Sequence, residues 1–497
     1  MQIIPHHLNG QACHEGRIGA EIFNPASGRV IASVLVADAK VVDKAVLAAR
    51  IAQATWASVP AIKRAQVLRN FAARIETGVA ELAQLVTLEH GKTLSDAKAS
   101  IQRGLEILYY HCDIQQQLMG DFSQQVSQGV DCHTFYQPLG ICAGIAPFNF
   151  PVMVPMWMMV PAIATGNAFI LKPSEKVPSA ALQLVKWFEQ AGLPKGLLQC
   201  LQGDVSTVNC LLSHPDIAAY TAVGSSQAAL HIYTEATRQG KRAHTFGGAK
   251  NHAVVDDNAN LEHASDAIVS AAFGSAGQRC MAISTVVCIG KVCHDKLLNL
   301  LQYKLAKLKL GPGDDNTTDI GPIICAQQLG TLHRAIEQGM KEGAKLVLDG
   351  RNPSIRQQSS GYYLGPCLFS EVNTNMSIYQ QELFGPILLV LTVAHLDEAI
   401  RVINQHPYGN GAVIFTPNGL AARTFADQTS VGMIGINIPI PVPIVSHPFG
   451  GWKQSSFGDH PMHGPHGLLF YTRQKSVSTT WPTQDPRACV DLDMPHH

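Results

Sequence analysis

Residues 273–281 read FGSAGQRCM: a cysteine at position 280, an arginine directly before it, and a run of glycine, serine and alanine ahead of both. Small residues let a ligand approach the backbone closely, and a neighbouring cation favours a thiolate, the form that attacks electrophilic carbon. Cys280 is therefore a candidate nucleophile. The competing reading is structural, because the chain carries twelve cysteines and a free cysteine is usually a small buried apolar residue. A second stretch, PFNFP at 147–151, holds Asn149 between two phenylalanines and two prolines. A side-chain amide fixed in this way suits donation to an oxyanion developing on a carbonyl, although a plain Asx-turn accounts for the same residues.

Two further stretches suit an anionic ligand. In LKPSEK (171–176), Lys172 and Glu175 follow a strand pattern, where side chains at the carboxyl edge of a sheet reach a ligand. A carboxylate there accepts from ribose hydroxyls and repels a 2′-phosphate, which favours NAD over NADP; a solvated turn with a chance charge pair is the alternative. Gly224-Ser225-Ser226 joins a strand to a helix and offers free backbone N–H groups to a phosphate, or simply a serine N-cap. No G-x-G-x-x-G follows any strand pattern. His460, His463 and His466 in GDHPMHGPHG are spaced by three, but proline and glycine interrupt a helix there, so a surface loop is expected and no metal site.

The elements that must position these residues are legible in outline. Residues 37–118 carry apolar residues three and four apart and predict helices, the third over roughly 94–116. From 129 onward, strand patterns (GICAGIA, NAFILKPS, LLQCLQG, IAAYTAVG) alternate with helical ones, and a second alternating block runs from HAVVDD to GAVIFT and MIGINIP. Such alternation predicts βαβ units, parallel sheets and an α/β fold. The C-terminal GLLFYTRQKSVSTTW predicts a strand that leaves the globule. Met153, Met156, Met158 and Met159 read as core packing.

Composition narrows the function. Lysine plus arginine equals aspartate plus glutamate at 37 each, so no net field recruits nucleic acid or an anionic membrane. FNFPVMVPMWMMVPAIATG (148–166) is broken by prolines and reads as a buried helix, not a membrane span. MQIIPHHLNG lacks a basic region followed by an apolar core, and the cysteines are scattered without a C-x-x-C pair. Both predict a cytoplasmic protein with reduced thiols, no disulfide framework and no metal.

PFNFP, LKPSEK, FGSAGQRCM and QELFGPIL, in this order and spacing, resemble the aldehyde dehydrogenase superfamily over nearly the whole chain. GGAKNHAVV, INIPIPVPIVSHPFGGWKQSSFGD and FYTRQKSV are similar to its CoA-acylating methylmalonate-semialdehyde branch. The resemblance implies a Rossmann-like NAD-binding domain (1–120 and 139–246), an α/β catalytic domain (247–440) and a small β oligomerisation flap (121–138 and 465–497), in a homodimer or homotetramer. It implies that Cys280 attacks the aldehyde and that Asn149 and the Cys280 N–H hold the oxyanion. Ala146 and Phe148 would lie by the nicotinamide, Lys172 and Glu175 on the adenosine ribose, Ser225 on the pyrophosphate and Glu382 on the nicotinamide ribose. Lys176 stands where relatives can carry arginine. Arg103 and Arg279 would hold the substrate carboxylate, with CoA as co-substrate and propionyl-CoA or acetyl-CoA as product, as in valine catabolism. Hydrolytic members carry a glutamate in ELGG; here HTFGGAK places Thr245 at that position, which removes the base that activates water. Hydrolysis to the free acid by another base, and a catalytically silent binding protein on the same fold, are the competing readings.

Overall fold

The computed structural model describes residues 2–127, 129–355 and 360–481. The alanine- and leucine-rich segments fold as helices α1 (Ala39–Trp56), α2 (Ala61–His90) and α3 (Leu94–His111), followed by a single turn, α4 (Ile114–Gln117). The third helix thus stops five residues short of the expected end. Asp38 and Thr93 cap α1 and α3 by accepting from the N–H groups of Val41 and Asp96 at 3.0 and 3.2 Å. Gly91 ends α2 with a φ of +88°, a conformation that favours glycine.

An eight-stranded sheet has five parallel strands at its centre, in the order Arg242–Phe246, Ile217–Val223, Ile141–Ile145, Ala168–Lys172 and Leu198–Cys200. Helices α5 (Met153–Ala164), α6 (Ser179–Gln190), α7 (Val205–Ser213) and α8 (Ser226–Arg238) alternate with these strands in the chain. After Ile141–Ile145 the chain builds outward to one side through Leu198–Cys200, then crosses to place Ile217–Val223 on the other side. The reversal makes a crevice at the carboxyl ends of Ile141–Ile145 and Ile217–Val223, where open α/β sheets bind ligands. A seven-stranded sheet follows, parallel except for its Lys345–Leu348 edge, with Asn251–Val255 and Ile283–Ile289 near its middle. The helices α9 (Leu261–Phe273), α10 (Lys291–Leu305) and α11 (Ala326–Lys341) belong to this second half. Phe122–Ser127, Val130–Pro138 and Thr472–Thr480 form a separate antiparallel sheet of three strands. Residues 482–497, the end of the expected flap segment, lie outside the described residues.

Two features lie outside the sequence reading and a third corrects it. The first 36 residues hold short strands: His6–Leu8 and Gln11–Cys13 extend the eight-stranded sheet, while Gln2–Ile4, Arg17–Asn24 and Arg29–Val36 form their own. Ser456–Phe457 returns to pair with Arg242–Phe246, so the chain beyond 440 rejoins the first sheet. The histidine stretch is not a surface loop. His463 is buried with its ring 4.6 Å from the Trp157 ring, and Gly464–Leu469 is a short helix. Pro465 sits in its first turn, where the missing N–H has no helical partner to lose. The four methionines of α5 are buried as core, the described cysteines are free, and no described group of side chains could hold a metal. No described helix is long and apolar enough to cross a membrane.

Candidate active site

The crevice is a cavity of about 970 Å³, at the upper end of the usual range for small-molecule sites. Ala146, Phe148, Asn149, Lys172, Glu175, Lys176, Ser225, Cys280 and Glu382 all line it. Its walls come from both sheets, with Gln328, Thr331 and Gln338 of α11 completing the far side. Arg279 lines a small adjoining cavity that also touches Cys280 and Glu382, whereas Arg103 lines neither.

On the first-sheet side, Lys172 is buried and donates to Glu175 Oε2 at 3.0 Å. Burial would raise the Glu175 carboxyl, but Lys172 and Lys176 hold it below the usual range, so it is an anion at neutral pH. Lys176 lies over the Phe148 ring, 5.6 Å from its centroid. Ser225 caps α8, accepting from Ala228 N–H at 3.3 Å, and Gly224 leaves the helix end open to the cavity. A helix N-terminus for a pyrophosphate and a carboxylate for ribose hydroxyls are the donor and acceptor set that a dinucleotide without a 2′-phosphate requires. Glu382 accepts from Ala249 N–H at 2.8 Å, and burial pushes its carboxyl up to about 7.

The Cys280 loop is over-determined. After α9, Ser275 and Ala276 take φ of 55° and 54°, and Gly277 takes +70°. A β-carbon on Gly277 would stand 2.2 Å from Gly385 O, and one on Gly274 would stand 2.5 Å from the Arg279 guanidinium. The small residues before Cys280 thus make room for the protein's own atoms, not for a ligand as the sequence suggested. Asn251 and Asn410 both donate to Cys280 O, at 2.9 and 3.0 Å, and fix the Cys280 backbone. Asn149 Nδ2 donates to Gln278 O at 3.1 Å, which leaves its second N–H for an oxyanion.

The electrostatics correct the expectation for Arg279. Its guanidinium donates to Asp96 Oδ1 at 2.6 Å, within an ion pair that is mostly shielded from solvent. Burial and the Glu382 carboxylate push the Cys280 thiol up to about 11; the N–H groups of Cys280 and Met281, and Lys92, act in the opposite direction. Arg279 is not the group that favours the thiolate, because Asp96 neutralises it. Arg103 sits seven residues beyond Asp96 on the same face of α3, paired with Glu106 at 2.7 Å and half-exposed. Thr245 is buried and donates its hydroxyl to Ala229 O at 2.8 Å, so it presents no acid or base to the cavity. Lys92, Asp96, Asn251 and Asn410 escaped the sequence reading; each acts through a partner distant in the chain, and none stands in a pattern that marks chemistry.

A sequence model of the aldehyde dehydrogenase family matches residues 14–477. The chain is 45% identical to the malonate-semialdehyde dehydrogenase of Pseudomonas aeruginosa over 97% of each chain. It is 41% identical to the human mitochondrial methylmalonate-semialdehyde/malonate-semialdehyde dehydrogenase [acylating], over 94% of this chain and 86% of the relative. A crystal structure of a candidate methylmalonate-semialdehyde dehydrogenase from Sinorhizobium meliloti, complexed with NAD, superposes with a TM-score of 0.96 at 42% identity, covering 97% of this chain and 99% of that one. The chain belongs to the aldehyde dehydrogenase family.

Proposed function

We propose that this protein oxidises malonate or methylmalonate semialdehyde with NAD and delivers the decarboxylated acyl group to CoA, giving acetyl-CoA or propionyl-CoA. One observation carries the acylating outcome: Thr245, at the place of the hydrolytic glutamate, has its hydroxyl committed to Ala229 O. Relatives whose names carry these substrates, at 41–45% identity over nearly the whole chain, support the substrate class.

In this reading the Cys280 thiolate adds to the aldehyde carbon, and the oxyanion accepts from Asn149 Nδ2–H and the Cys280 N–H. NAD, bound in the cavity, would supply the hydride acceptor that this oxidation to a Cys280 thioester requires. Glu382 and Glu175 would hold its two riboses, Ser225 its pyrophosphate, and Lys172 and Lys176 would flank the adenosine end. The remaining N–H groups of Arg279 hold the substrate carboxylate, and Arg103, which lines neither cavity, adds positive charge from the same face of α3 as Asp96. Loss of that carboxyl as CO₂ leaves an enolate with its charge delocalised into the thioester carbonyl, and a proton is taken up at the α-carbon. The CoA thiolate then adds to that carbonyl and displaces Cys280 as its thiolate.

The same reading assigns 1–120 and 139–246 to NAD binding and 247–440 to catalysis. The strands in 121–138 and after 465 join protomers in a cytoplasmic dimer or tetramer, where exposed Phe122 and Val126 offer an apolar face. Incubation with NAD and a panel of semialdehydes, with and without CoA, and product identification by mass tests the function. Acyl-CoA as the main product supports it; a free acid formed whether or not CoA is present overturns it.

A further inference from the structure

Lys92 lies between α2 and α3, almost fully buried. Its ammonium donates to Asn149 O at 2.7 Å and lies 4.3 Å from the centroid of the Phe150 ring. The carbonyl it holds belongs to the residue whose side chain reaches Gln278 O, two positions before Cys280. The lysine cannot swing away as a rigid unit. Its own N–H donates to His90 Nδ1 at 3.2 Å, and its carbonyl is packed so closely that a β-carbon on Gly313 would come within 2.2 Å of it. Burying an ammonium is costly, and an apolar side chain would fill the same space without that cost.

The charges around it are few. Asp96 reaches it from α3, Arg279 and Cys280 from the nucleophile loop, and His90 from the end of α2. His90 is kept neutral by burial, and Asp96 and Arg279 are paired with each other. Among the described residues Lys92 is the side-chain cation that acts on the Cys280 thiol against Glu382, whose own charge Lys250 offsets.

We propose that Lys92 is a positioning residue for the nucleophile: its ammonium fixes the Asn149 main chain beside the Cys280 loop and supplies the positive field in which the thiol ionises. The inference rests on Cys280 being the nucleophile of the proposed function. Burial lowers the ammonium to about 8, so it is charged at neutral pH. Removing that charge makes the thiolate harder to form, and the thiol's ionisation moves to higher pH.

The test follows alkylation of the full-length enzyme by iodoacetamide from pH 6 to 10, with the labelled residue located by mass spectrometry, in wild type, Lys92→Met, Lys92→Gln and Lys92→Arg. Lys92→Gln can still donate to Asn149 O and serves if the methionine variant does not fold. The expected result is labelling of Cys280 about ten-fold slower in the neutral variants at pH 7, where the wild-type ammonium is charged, equivalent to about one pKa unit, with the difference closing above about pH 8 as Lys92 loses its proton. kcat should fall while KM for NAD holds, and Lys92→Arg should recover most of the labelling rate. A neutral variant with native circular dichroism and the wild-type labelling profile overturns the role of Lys92. If wild-type labelling falls on another cysteine and leaves activity intact, the nucleophile assignment fails, and this inference with it.

Discussion

Arg279 precedes Cys280 in the chain, yet its guanidinium is committed to Asp96, donating to Oδ1 on α3 at 2.6 Å. Asp96 accepts this role because Lys92 and Arg279 outweigh burial and hold its carboxyl below the usual range. The pair holds the guanidinium rigidly and leaves other N–H groups free for a second carboxylate.

If Arg279 and Arg103 read a substrate carboxylate, Arg279→Ala should weaken kcat/KM for malonate semialdehyde more than for propanal. A lost charged hydrogen bond at a shielded site is worth about 1.5–3 kcal/mol of discrimination. Arg103→Ala should act in the same direction but less, because its side chain is half-exposed and already paired with Glu106. Equal losses for charged and uncharged aldehydes would make both arginines structural.

Cys280→Ala should abolish NADH formation and leave NAD binding, followed by nucleotide titration, close to wild type. Lys172, Glu175 and Ser225, which the proposed function puts on the adenosine side, line the cavity from the first sheet and not from the Cys280 loop. Residual dehydrogenase activity above a trace would move the nucleophile elsewhere.

Asn149→Ala should lower kcat by about 10²-fold with little change in KM, the pattern of an interaction made with a developing oxyanion. An effect confined to KM would assign Asn149 to substrate binding alone.

Glu89 offers a stability test remote from the chemistry. It is buried at the end of α2, accepts from Ser179 N–H at 3.1 Å, and burial raises its carboxyl to about 7. The folded state therefore binds this proton more tightly than the unfolded state does. The penalty for ionising it is absent below about pH 4.5, grows as pH rises, and is complete above about pH 7. Glu89→Gln keeps an acceptor for Ser179 and carries no charge. Its advantage in denaturant unfolding should be near zero at pH 4.5 and reach up to ~3 kcal/mol at pH 8. An advantage that does not vary with pH would contradict the burial argument.

Much of this site was legible because its residues stand at the ends of strongly patterned elements. The crossover geometry that brings Ala146, Glu175 and Ser225 together follows from strand–helix alternation. What stayed hidden depends on tertiary partners. The Arg279–Asp96 pair spans 183 positions, and nothing near Arg279 in the sequence announces it. The glycines ahead of Cys280 invited a ligand, whereas Gly385 and Arg279 occupy the space. His463 looked solvated among prolines and glycines, but Trp157 and Phe449 enclose its ring. The N-terminal strands of three residues are too short to show a period.

The central claim is that the Cys280 thioester waits for a thiol because Thr245 supplies no base. Rapid mixing of enzyme and NAD with malonate semialdehyde, without CoA, measures this directly. The expected trace is a burst of about one NADH per active site followed by a slow phase, with CoA restoring steady turnover in a ping-pong pattern. Brisk, CoA-independent turnover that yields free acid from the unmodified protein would contradict it.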